Sequence, residues 1–318
     1  MLDSSPPPLG GLGREADQGW AERWKRRNPI GTDPSPRPRS ASRPKPARGG
    51  GFIQAHAETK PLLGLDFADL NTAEAAAAIA ARPADAPFSY VVTPNAEHLV
   101  RLSRDQSLRP AYETAALRLL DSRVVANAAR LMGLNAPRVA PGSDVTAALL
   151  AHHLRPGERI TIIGLRPAFV PALMARCGIA AAAHYDPPMG FDRDPPAFRQ
   201  AVAFALQHPA RFVFLAIGSP RQEKLAAAIA ATGQATGTGL CIGASLDFLA
   251  GAERRAPMWM RRAGLECVHR LVSHPLRHGR RYLWDSPAVL RLLWRERAGA
   301  ISSPPVPGAG VRPPPATQ

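Results

Sequence analysis

The stretch RFVFLAIGSPRQEKLAAAIAAT, residues 211–232, decides the architecture. Residues 211–217 form a short apolar run with no polar alternation, which is what a strand covered on both faces requires. After the break at Gly218-Ser219-Pro220, residues 220–232 open with polar groups and continue in Ala and Leu, which predicts a helix. The same unit recurs in both directions. Strands are predicted at 88–93, 117–121, 159–163, 179–184 and 238–243, and helices at 72–82, 95–107, 123–133, 144–153, 167–177 and 196–208. Short apolar strands separated by helices imply βαβ units, hence an α/β, doubly wound fold with a mainly parallel sheet.

Around this core the composition changes. Residues 1–51 form a Pro/Arg-rich tail and 299–318 a Pro-rich one, compositions that bury too little apolar surface to order themselves. Between them, 52–256 reads as the α/β core and 257–298 as a basic helical appendage. Residues 251–300 hold eleven Arg, no Lys and four acids within a chain of net charge +15. Such an excess calls for an acidic partner: nucleic acid, anionic lipid or a phosphorylated substrate. A nucleic-acid-binding protein with basic tails is the alternative, disfavoured by the 6% of aromatic residues and by motifs that lie at strand ends. No run of about 18 apolar residues predicts a membrane span, and the acidic, proline-rich start, MLDSSPPPLG, is not a secretory signal. Cys177, Cys241 and Cys267 are odd in number and without ligand spacing, which disfavours a disulfide framework and a zinc site and fits a reducing compartment.

In parallel sheets ligands gather outside the carboxyl ends of the strands. There this sequence places Thr93, Pro94 and Asn95, then Asp121, Gly164, Gly218 and Gly243. Thr93 or Asn95 serves equally as a helix cap or as a ligand contact, and the glycines let the backbone turn and approach a ligand closely. No GxxxxGK[ST] occurs and no GxGxxG follows a strand, so ATP hydrolysis and a standard dinucleotide site are disfavoured. Ser219 and Ser245 lack the GxSxG flanks of a hydrolase elbow. The DRD at 192–194 would suit a metal-dependent transferase, but its Pro- and Gly-rich flanks suit a turn better.

Taken in order, TPNAEHLV, LLDSRVVANAARLMG, PGSD, FVFLAIGSPRQEK, GASLDFLAG and ERRAPMWMRRAGLECVHRLVSHPLRHGRRYL resemble the WecG/TagA/CpsF glycosyltransferases, glycosyltransferase family 26, over about residues 88–284. The resemblance implies a Rossmann-like core with an Arg-rich C-terminal appendage. It also implies an inverting, metal-independent transfer from a UDP-sugar to a polyprenyl-diphosphate-linked sugar, with no other cofactor. The place of work is the inner face of the cytoplasmic membrane, in the synthesis of cell-surface polysaccharides. PPMGF and GLCIGASLDF look more like the exopolysaccharide members. Two departures stand out: Asp121-Ser122 where the family commonly has Asp-Gly, and GLEC at 264–267 where it usually has Gly-Leu-Glu-Trp.

Under that resemblance Asp121 is the expected general base, its rival role being the cap of the helix that follows. Thr93 and Asn95 are expected to hold sugar or phosphate. Gln222, in the same SPRQEK motif as Pro220, is expected to reach the sugar with its amide. Glu223 is either a rival base or a first-turn acid that complements the helix dipole. Gly142 and Asp144 of PGSD match a family motif that opens a helix, and Asp247 either accepts from uracil or ribose or caps a turn. Arg254, Arg255, Arg261, Arg262, Arg277, Arg280 and Arg281 are candidates for the diphosphate, because guanidinium groups bind phosphate oxygens in pairs. Residues 280–298 place Trp284, Leu290, Leu293 and Trp294 among arginines, as an interfacial helix on an anionic membrane does, the rival being an Arg-rich helix packed on the core. A homo-oligomer is left open.

Overall fold

A computed structural model describes residues 58–252, 260 and 287–299. The first element is an antiparallel hairpin of β1 (Thr59–Leu62) and β2 (Leu65–Ala68). It was not legible in the sequence. Its turn places Leu63 at φ 51 and Gly64 at φ 72, so a leucine occupies the left-handed region where Asn or Gly would have signalled a hairpin.

The rest of the sheet follows the expected pattern. Strands β3 (Ser89–Val92), β4 (Leu117–Arg118), β5 (Arg159–Gly164), β6 (Ala181–Tyr185), β7 (Phe212–Ala216) and β8 (Thr238–Cys241) form a six-stranded sheet in the order β4-β3-β8-β7-β5-β6. Every pairing in it is parallel. The fold is therefore Rossmann-like and doubly wound, and all six carboxyl ends lie along one edge. Strand β4 is shorter than its apolar run predicts, yet a parallel bridge between Leu120 and Val139 continues the pairing as far as Leu120.

Residue alternation along each strand explains the three layers. On β3, Tyr90 and Val92 enter one core and Val91 the other; on β7, Val213 and Leu215 oppose Phe212 and Phe214 in the same way. The first face is covered by α2 (Ala96–Arg104), α3 (Arg109–Glu113), α4 (Arg123–Leu131), α7 (Pro195–Gln207) and α8 (Arg221–Ala231). The second is covered by α1 (Thr72–Ala80), α5 (Gly142–Ala148), α6 (Val170–Cys177) and α9 (Ser245–Ala250). The predicted helix at 144–153 is observed as α5 followed by a turn of π-helix over Leu149–His153.

A last helix, α10, spans 287–297. Val289 and Leu293 bury themselves in the first core, and the Glu296 carboxylate accepts from the Leu63 N–H at 2.8 Å. Leu290 and Trp294 stay 43% and 64% exposed, and Arg291, Arg295 and Arg297 are exposed with them. The apolar set expected to face one membrane surface is therefore split: Leu293 belongs to the core, while Trp284 lies outside the described residues. A helical period of 3.6 separates residue 293 from 290 and 294 only by the choice of which flank faces inward, and the core makes that choice. None of the described helices is long and apolar enough to cross a membrane.

Candidate active site

Because the sheet is parallel, the loops after β4, β3, β8 and β7 meet in that spatial order. Polar contacts join all four. Asp121 begins the series: its N–H donates to Pro94 O at 3.0 Å, and its Oδ2 accepts from the Gly142 N–H at 3.0 Å, where α5 begins. The rival role in the sequence, capping α4, is filled by Ser122, whose Oγ accepts from the Val125 N–H at 3.2 Å. The serine that replaces the family's glycine thus takes the cap and leaves the carboxylate at the strand end.

Gly142 is required by space. A Cβ there would stand 2.7 Å from Thr93 Oγ1, so only a bare α-carbon lets the start of α5 close on the end of β3. Thr93 is buried, and its hydroxyl donates to Cys241 O at 3.2 Å, on the last residue of β8. Asn95 caps α2, its Oδ1 accepting from the His98 N–H at 3.2 Å. Of the two roles open to it, the cap is filled. Asp144 and Asp247 stand in the first turns of α5 and α9. Gly164, Gly218 and Gly243 all turn with positive φ, as strand-end glycines were expected to do.

The β7 loop completes the series from beneath. Pro220 stands at the N-cap of α8, and Gln222 and Glu223 follow in its first turn. Both are buried, at 2% and 1% exposed. Gln222 Oε1 accepts from the Gly243 N–H at 2.8 Å, and its Nε2 donates to Glu223 Oε1 at 2.9 Å. Both ends of the Gln222 amide are thus engaged within the protein, and the side chain ties the loops after β7 and β8 together. Glu223 does stand in the first turn of α8, but buried. Burial holds its carboxyl above the usual carboxylate range, with Gln222, Ser219 and Arg101 only partly offsetting that cost.

Around Glu223 lies a cluster of polar side chains that the sequence did not announce. Arg101 pairs with Glu97 and donates to Ser219 Oγ at 3.0 Å, and the Tyr112 hydroxyl lies 3.2 Å from the same oxygen. Only the Glu97/Arg101 spacing of four was available as a signal, and it is common to any solvated helix. His98 packs edge-on against Tyr112, and burial, with Arg101 nearby, lowers its pKa to about 3, so it is neutral at physiological pH. Arg254, Arg255, Arg261, Arg262, Arg277, Arg280 and Arg281 lie outside the described residues. Asp194 of the DRD run stands at the N-cap of α7, and among the described residues no three His, Cys, Asp or Glu side chains cluster closely enough to hold a metal ion.

The arrangement offers the half-buried Asp121 carboxylate at a strand-end mouth whose walls are fixed by backbone N–H groups and two buried side chains. That is a place to deprotonate a hydroxyl beside a bound anion. A family model described as the glycosyl transferase WecG/TagA/CpsF family matches residues 60–302. The match spans the sheet, the four joined loops and α10, and so the chain belongs to the WecG/TagA/CpsF family of glycosyl transferases.

Proposed function

We propose that this glycosyl transferase of cell-surface polysaccharide synthesis moves a hexose, with inversion and without a catalytic metal, from a UDP-sugar to a polyprenyl-diphosphate-linked saccharide. The exopolysaccharide-like motifs favour that class of polymer. The acceptor hydroxyl oxygen attacks the anomeric carbon as the bond from that carbon to the β-phosphate oxygen breaks. UDP departs with the electron pair, and the hydroxyl proton passes to Asp121. Arginines of the 254–281 segment and helix N-termini at the mouth balance the charge that grows on the diphosphate.

The observation that carries this reading is the setting of Asp121. Its carboxylate accepts from the N–H of Gly142, the residue that packs against Thr93, while Ser122 caps the helix in its stead. Work at the inner face of the cytoplasmic membrane is supported by the exposed Leu290, Trp294 and arginines of α10. The test is a panel of UDP-sugars offered with a synthetic polyprenyl-diphosphate-sugar. One donor is expected to yield an elongated lipid and free UDP, and UDP is expected to raise the melting temperature. Stabilisation by oligonucleotides, with none by UDP and no lipid product, overturns the reading.

A further inference from the structure

Glu223 offers a second carboxylate beside the transfer site, yet its burial closes it to a substrate hydroxyl. Its contacts give it another task. A backbone N–H only donates, so the Gln222 oxygen must face Gly243 and its nitrogen must face Glu223. A flipped amide would set NH2 against N–H and oxygen against a carboxyl oxygen. The Gly243 N–H and Glu223 Oε1 therefore fix together which way Gln222 points. Gln222 in turn holds Gly243, the turn at φ 54 that leads β8 into α9. Thr93 grips the same strand end through Cys241 O, so β8 leaves the sheet clamped on two sides.

We infer that Glu223 is a positioning residue: its buried carboxyl locks the Gln222 amide and, through it, the Gly243 turn at the mouth of the site. Among the described residues Glu223 Oε2 makes no hydrogen bond at normal bonding distance, which leaves Oε1 as the oxygen that holds Gln222. A neutral acid keeps one oxygen to accept from Gln222, and glutamine reproduces that arrangement while alanine does not. The effect on turnover rests on the glycosyl transfer proposed above. The effect on the turn does not.

Two measurements on the full chain separate them. Hydrogen exchange at the Gly243 amide, without substrate, should rise about tenfold in Glu223→Ala and in Gln222→Ala but stay within about threefold of wild type in Glu223→Gln. Unchanged exchange in both alanine variants overturns the inference. In turnover, Glu223→Ala should lower kcat about tenfold, Glu223→Gln should recover most of it, and Glu223→Ala should add less than about twofold once Gln222 is already alanine. Additive losses overturn the inference. So does a loss of about a hundredfold in Glu223→Gln, which would make Glu223 a proton acceptor. If the wild-type chain turns over no UDP-sugar, the transfer reading fails and amide exchange alone decides the positioning role.

Discussion

Asp121, after β4, and Glu223, after β7, are two carboxylates at the carboxyl edge of the sheet with opposite surroundings. Asp121 is half-buried and receives a backbone N–H, whereas Glu223 is enclosed. A base has to be reached by the hydroxyl it deprotonates, and only the first meets that need. Asp121→Asn is expected to keep thermal protection by UDP while lowering turnover by roughly a hundredfold or more; initial rates and melting curves on one preparation check both halves. Glu223 has a signature in stability. Its carboxyl titrates above the ordinary value of 4.5 in the fold, so the native state holds a proton that the unfolded chain releases as pH rises through that value. Wild type should therefore lose stability relative to Glu223→Gln as pH climbs from 4.5 towards the raised pKa, by up to about 1.4 kcal/mol per pH unit. Paired denaturant titrations from pH 4 to 8 read the slope, and parallel curves would show an ionised Glu223.

At the scale of elements, α10 does two jobs on its two flanks. Val289 and Leu293 fill the core beside the β1–β2 hairpin, and Leu290 and Trp294 remain outside with the arginines. Leu293→Ala should cost about 2–5 kcal/mol of stability, the range for removing a buried leucine. Leu290→Ser with Trp294→Ser should change stability by no more than about 0.5 kcal/mol per site. That pair should weaken binding to vesicles containing anionic lipid; chemical denaturation and vesicle sedimentation separate the two effects. The long βα units were legible because an apolar run followed by an Ala-rich helix carries both periods in the chain itself, as in 211–232. The hairpin was not, since Leu63 adopts a left-handed turn that its own side chain disfavours and only the neighbouring packing and the Glu296 contact sustain it. The inward flank of α10 was equally hidden, because amphipathic spacing looks the same whether the apolar side meets lipid or protein.

For the molecule as a whole, the proposed chemistry places positive charge where a divalent ion would otherwise balance a diphosphate. Turnover is therefore expected to persist in excess EDTA; abolition by the chelator and recovery with Mg²⁺ would make the enzyme metal-dependent instead. The chain by itself determined the alternation of strands and helices, the parallel sheet and the fact that polar groups collect at the strand ends, because hydrophobic period and turn chemistry are local properties. The tertiary structure decided what each of those groups does. Ser122 rather than Asp121 caps α4, Gln222 turns inward to Gly243, and Glu223 is sealed beneath them. Those assignments depend on which strand ends become neighbours in the order β4-β3-β8-β7, a matter of contacts between residues as far apart as 93 and 241, and no local pattern encodes a burial that distant segments create.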